Sequence, residues 1–208
     1  YHIKAGKEIF AAEGAFGQYL ICFRDFPVAI GITAGAREYL AADICLKYMK
    51  EAISEPCNEE QLEAAEKALR AKLNSLSLVQ PEGTFRTARK EAAKLFDRKI
   101  LFTENPRKVE SVVFTKEGYR IKIEAVINGE QKTLYASYKA WKRNNLYPDD
   151  FTKKYQSVAY AMDAEALYLS VGLINTSYKE EYSLWVNSED KVIATWRPNV
   201  TYLPEEPD

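Results

Sequence analysis

From residue 94 onward, apolar and polar side chains alternate with a period of two. Ile121, Ile123, Ala125 and Ile127 fall on one side of a run beginning at Tyr119, with Lys122, Glu124 and Val126 on the other. Asn128-Gly129 follows, the dipeptide best suited to a two-residue hairpin turn. The same reading predicts eight short strands, at 98–103, 109–115, 119–127, 131–138, 156–162, 165–174, 179–187 and 190–197. Turns at Glu117-Gly118, Asp163-Ala164 and Asn187-Ser188 separate several of them. Residues 94–208 are therefore expected to form a mostly antiparallel up-and-down barrel or a strongly curved sheet.

Residues 1–55 have a different pattern. Strands are expected at 2–12, 17–24 and 27–33, apolar on both faces and so wanting cover on two sides. A helix over 37–53 carries Leu40, Ile44, Tyr48, Met49 and Ile53 as its stripe. Residues 56–93 form a helical connector. Asn58-Glu59-Glu60-Gln61 reads as an N-cap with a capping-box residue. Acidic residues crowd the first turns and Lys67, Arg70 and Lys72 the later ones, as the helix dipole favours. Leu62, Ala65, Leu69 and Leu73 give this helix one apolar side, which makes it a packed surface helix, a link between domains or a partner for exposed sheet. The fold class is α+β.

The segment Gly14-Ala15-Phe16-Gly17-Gln18 stands between two of the predicted strands. Glycines at both ends let the backbone turn sharply or approach a bound group closely. This order of Gly-rich turn, apolar strand, tight reversal, second strand and helix resembles the end of a β-lactamase-like serine hydrolase domain. The family includes penicillin-binding proteins, class C β-lactamases, esterases and 6-aminohexanoate-dimer hydrolases. The resemblance implies that the backbone N–H of Ala15 supplies one donor of an oxyanion hole, with Gly14 and Gly17 shaping the turn. Glu13, Gly14, Phe16 and Gly17 are the substrate-contact candidates, although Glu13 also reads as a solvated carboxylate and Phe16 as core. Without that context, the turn reads as an ordinary reversal or bulge. Ala12-Glu13-Gly14 stands where many members place Lys-Thr-Gly or His-x-Gly, which fits the esterase and amide-hydrolase branch.

The tail also resembles the lipocalin-like barrel that follows the hydrolase domain in some members, through KILFTENPRKVESVVF, centred on Asn105-Pro106, and AYAMDAEALYLSVGLINTSYKEEYSLWV. Trp141, Trp185, Trp196 and the tyrosines are expected to fill such a barrel rather than line a ligand cavity. No Tyr-x-Asn or Ser-x-Asn supplies the family's proton relay, and His2 is the only histidine. The chain is thus expected to be the C-terminal segment of a serine hydrolase, without its own nucleophile and base and inactive alone. Its partners are expected to be the upstream part of the same polypeptide, and a second copy through exposed strands, with a small-molecule substrate only in the intact parent. The alternative is a non-catalytic lipocalin-like module that binds a ligand or a protein.

Composition narrows the field further. A net charge of −1 with interspersed signs argues against a nucleic-acid partner. Cys22, Cys45 and Cys57 form neither a paired framework nor a metal-ligand spacing, so no metal or other cofactor is expected and a reducing, cytoplasmic setting is inferred. No apolar run is long enough to span a membrane. The start at Tyr1, without Met or a signal peptide, reads as a boundary within a longer polypeptide. Asn175-Thr176-Ser177 and Asn199-Val200-Thr201 match the glycosylation pattern by chance, and the end from Pro204 is a polar tail.

Overall fold

The computed structural model describes residues 2–5, 8–36, 40–55, 58–84, 90–147, 149–150 and 154–200. The chain divides into two compact units, Tyr1–Val79 and Gln80–Asp208.

The first unit contains four strands, β1 (His2–Ala5), β2 (Ile9–Gly14), β3 (Gln18–Phe23) and β4 (Ala29–Ile32), paired antiparallel in chain order. The expected strand over 2–12 is therefore a hairpin, with His2 opposite Glu13 and Ala5 opposite Phe10. Burial along β3 alternates instead of covering both faces. Tyr19, Ile21 and Phe23 are buried, while Leu20 on the other face and Phe10, which pairs with Cys22 there, are exposed. One covered face suffices because an antiparallel sheet, unlike a buried parallel one, needs a single core side.

Helix α1 (Leu40–Ser54) follows the sheet, and Lys50 on it reaches Glu8 before β2 at 2.5 Å. Among its described side chains the half-buried ones are Cys45, Leu46, Met49 and Ile53, whereas Ile44 and Tyr48 of the expected stripe are exposed and the Leu40 side chain lies outside those described. Helix α2 (Glu59–Ser75) begins with the expected capping box: Asn58 Oδ1 accepts the Gln61 N–H at 2.8 Å, and Gln61 Oε1 accepts the Asn58 N–H at 3.0 Å. No residue of α2 is buried, so its apolar side does not pack as a surface helix would.

The second unit is mostly β. After a single helical turn, α3 (Lys90–Ala93), come β5 (Lys99–Leu101), β6 (Val109–Glu117), β7 (Arg120–Ile127), β8 (Glu130–Tyr138), β9 (Lys142–Asn145), β10 (Tyr155–Met162), β11 (Ala166–Leu173), β12 (Lys179–Val186) and β13 (Val192–Pro198). They form one nearly closed, barrel-like sheet in the order β13-β12-β11-β10-β8-β7-β6-β5, with β9 also on β10. Asn128 and Gly129 both have positive φ, 51° and 77°, as the primed hairpin turn between β7 and β8 requires.

The expected up-and-down order fails at one place. β10 pairs antiparallel with β9 over Tyr155–Val158, then parallel with β8 at Ala159 and Tyr160. Strand β9, absent from the expected set, is the insertion that causes the change. Its Asn144 is buried, and its carboxamide accepts the Tyr135 N–H at 2.7 Å and donates to the Tyr135 C=O at 3.0 Å. A side chain thereby completes the ladder where β8 has no backbone neighbour.

The sheet has edges at β5 and β13, and side chains bridge the seam between them. Arg107, in the β5–β6 loop, pairs with Glu180 of β12, and its guanidinium lies 5.3 Å from the centre of the Trp196 ring on β13. At the other end, Arg98 and Lys94 lie 3.9 and 4.0 Å from Asp190 in the β12–β13 turn. Inside, Phe114, Ile121, Val158, Tyr160 and Leu167 belong to one continuous core. Aliphatic and aromatic side chains make up this core, while Trp141, Trp185 and Trp196 are all only half-buried.

Strand β10 is covered on its outer face as well, so Val158 through Met162 are all buried. Backbone provides that cover. At Gly83 a Cβ would sit 2.8 Å from the Met162 carbonyl oxygen and 2.9 Å from the Ala161 Cβ, and φ there is +150°. Small residues on both sides, Gly83 against Ala161, permit the approach.

Candidate functional site

The turn between β2 and β3 consists of Ala15, Phe16 and Gly17, with Gly14 opposite Gln18 as the last pair. Phe16 and Gly17 both have positive φ, 60° and 85°. Two contacts fix this tip to the segment that leaves β4: the Ala36 N–H donates to the Phe16 C=O at 3.0 Å, and Gln18 Nε2 donates to the Ala34 C=O. Gly17 is buried against that segment, and a Cβ there would approach the Ala34 Cβ to 3.1 Å. Ala15 is exposed at the apex, flanked by half-buried Gly14 and Phe16, and Glu13 is half-buried on β2. All five expected residues thus lie in one hairpin, with Ala15 outermost.

The expectation that the chain holds no Ser-x-x-Lys is incorrect, because the spacing occurs once, at Ser188-Glu189-Asp190-Lys191. In a helix, that spacing sets the lysine one turn from the serine, on the same face. Here it spans the β12–β13 turn. Asn187 Oδ1 accepts the N–H groups of Glu189 and Lys191 at 3.0 and 2.9 Å, and Lys191 Nζ pairs with Glu189 at 2.6 Å. In this exposed turn the lysine pairs with Glu189, and the two residues of the spacing are not carried on a helix.

The Asn105-Pro106 segment borders a cleft of about 740 Å³, lined by Phe102–Pro106, Lys108–Glu110 and Asn128. Its polar groups are largely engaged in holding the loop. Asn105 bonds the N–H and C=O of Val109 at 3.1 and 2.7 Å and the Thr103 C=O at 2.9 Å, and Glu110 accepts the Gly129 N–H at 2.7 Å. Beside this loop, Tyr182 donates to Glu180 at 2.7 Å. Burial first, and then the Glu180 carboxylate, push the Tyr182 hydroxyl well above its ordinary range. This is a neutralised structural cluster rather than a poised acid or base.

One further polar pair is well defined. Asp163 accepts the Glu165 and Ala166 N–H groups at 2.8 and 2.7 Å through one oxygen and the Tyr168 hydroxyl at 2.6 Å through the other. It organises the β10–β11 turn. Among the described residues, no group of three or more His, Cys, Asp or Glu is placed to hold a metal ion, and no helix is long and apolar enough to cross a membrane. Cys22 and Cys45 are free, and Cys57 lies outside the described residues. No family model matches the chain, and no curated protein and no solved structure matches it either.

Proposed function

We propose that this chain is the C-terminal segment of a serine hydrolase of the β-lactamase-like kind, contributing one oxyanion donor and an accessory β-unit to an acyl-transfer site. The observation that carries this reading is the pinned β2–β3 tip. A donor that stabilises a tetrahedral intermediate must be held in place before charge develops, and the bonds from Ala36 and Gln18 hold the Ala15–Gly17 turn in that way. In the intact parent, a serine supplied elsewhere in the polypeptide attacks an ester, amide or lactam carbonyl, and the Ala15 N–H shares the oxyanion with the serine's own amide. Water then releases the acyl group.

The alternative, a non-catalytic binding module, draws on the cleft beside Asn105. Against a lipocalin-like ligand held inside the sheet stands the continuous cluster of buried apolar side chains there.

Two measurements test the proposal. The coding sequence upstream of Tyr1 is expected to continue in frame through a Ser-x-x-Lys and a Tyr-x-Asn-like element. The chain alone, treated with a fluorophosphonate probe, is expected to show no labelled serine by intact-mass analysis. Stoichiometric labelling of any serine in it, Ser188 included, would overturn the reading.

A further inference from the structure

Every residue from Asn58 to Val79 is exposed, yet α2 is not polar all round. At 100° per residue, Leu62, Leu69, Leu73 and Leu76 fall within about 60° of one another, with Ala65 at one border of the stripe and Glu66 at the other. These leucines are 58%, 57%, 55% and 63% exposed. Amphipathic helices are normally stabilised by packing of the apolar face. On α2 that face is presented to solvent along its whole length.

We propose that α2 is a self-association helix that pairs antiparallel with α2 of a second copy of this chain. The charge distribution selects that occupant. Glu59, Glu60, Glu63 and Glu66 occupy the first half and Lys67, Arg70 and Lys72 the second. Parallel pairing would set the carboxylates of one helix beside those of the other and align the two macrodipoles. Antiparallel pairing sets each acidic half against a basic half and opposes the dipoles.

The register follows from the stripe. A two-fold axis near residue 67 places Leu62 against Leu73 of the second copy and Leu69 against its Ala65. On the same flank of the seam, Glu63 then faces Arg70 of the second copy. Arg70 already holds Glu66 of its own helix at 2.5 Å. Its five donors allow the guanidinium to take a second carboxylate. A single pair of helices of roughly 25 Å buries less than a standard interface, so the association is reversible and micromolar.

Sedimentation equilibrium of the full chain, from about 1 to about 200 μM, tests this. A monomer–dimer equilibrium is expected. Glu63→Lys and Arg70→Glu are each expected to weaken it about tenfold, because each reversal places two like-charged pairs across the seam. The Glu63→Lys/Arg70→Glu double variant is expected to regain most of the affinity. Leu69→Glu is expected to leave only monomer. Far-UV circular dichroism of each variant checks that helix content is kept. A monomer throughout the range, or a dimer indifferent to the charge reversals, such as one formed through strand edges, would overturn the proposal.

Discussion

Tyr135 has both of its outward main-chain groups bonded by the carboxamide of Asn144, at 2.7 and 3.0 Å. A leucine is close to asparagine in size but offers neither bond. Asn144→Leu is therefore expected to destabilise the second unit by about 1–3 kcal/mol, the cost of leaving two main-chain groups without partners. Asn144→Asp keeps the acceptor but sets a carboxylate against a carbonyl, and is expected to cost at least as much at neutral pH. Urea denaturation followed by tryptophan fluorescence checks both.

The Arg107–Glu180 pair closes one end of the seam. Glu180 is nearly buried while Arg107 keeps partial access to water. Removing the arginine strands the carboxylate, so Arg107→Met is expected to cost about 2 kcal/mol, below the range for a fully buried pair because of that access. The Arg107→Met/Glu180→Gln double variant, which removes the charge but keeps an acceptor for the Tyr182 hydroxyl, is expected to recover most of the loss. A double-mutant cycle on denaturation midpoints checks this.

Asp163 and Tyr168 predict how stability depends on pH. Burial alone would raise the Asp163 carboxyl, but the bonds from Tyr168, Glu165 and Ala166 outweigh it and hold the group below its ordinary 3.8. Its contribution is present above that value and lost as pH falls below it. The bond to Asp163, followed by burial, pushes Tyr168 from 10.0 up to about 12. Its contribution is present below pH 10.0 and lost as pH rises toward about 12. Asp163→Asn is expected to flatten both limbs of a plot of thermal midpoint against pH.

Gly83 is expected to tolerate no side chain. The Cβ of Gly83→Ala would meet the Met162 carbonyl oxygen at 2.8 Å, and backbone cannot swing aside as a side-chain end can. A loss of about 1–3 kcal/mol in denaturant unfolding is expected.

The proposed function predicts that, in a longer polypeptide that carries the serine, Ala15→Pro deletes the oxyanion N–H and lowers kcat by about 10²–10³ with a much smaller change in KM. Ala15→Gly keeps the N–H and is expected to stay near wild type. Steady-state kinetics on an ester substrate check the pair.

The second unit was largely legible because its strands carry their own signals. Ile121, Ile123 and Ala125 point into the core as their alternation predicts, and Asn128-Gly129 turns as its chemistry predicts. Strand β9 carries no such signal. Lys142-Arg143-Asn144-Asn145 is polar throughout, and it is extended because β10 and Tyr135 bond it, which is tertiary information. In α1 the apolar residues are dense enough to support two overlapping stripes, and packing favours Cys45, Leu46 and Met49 over Ile44 and Tyr48. The β2–β3 turn was marked by its glycines, whereas the bonds that hold it come from residues 34 and 36, which no local pattern marks. Ser188–Lys191 shows the converse: the spacing of a catalytic pair without the helix that would make it one.

The splice at β8 and β10 divides the barrel-like sheet into two consecutive meanders, β5–β8 and β9–β13, joined along the ladder by the parallel bridge at Ala159 and Tyr160 and by Asn144. Within each meander every strand pairs with its sequence neighbour, so loop closure costs little and contact order is low. Docking the two, with burial of Tyr160 and locking of the seam by Arg107, is the long-range step. Folding is then expected to pass through early hairpin arrays and to be limited by their joining. Substitutions at Asn144 would slow that step more than any change within a single hairpin.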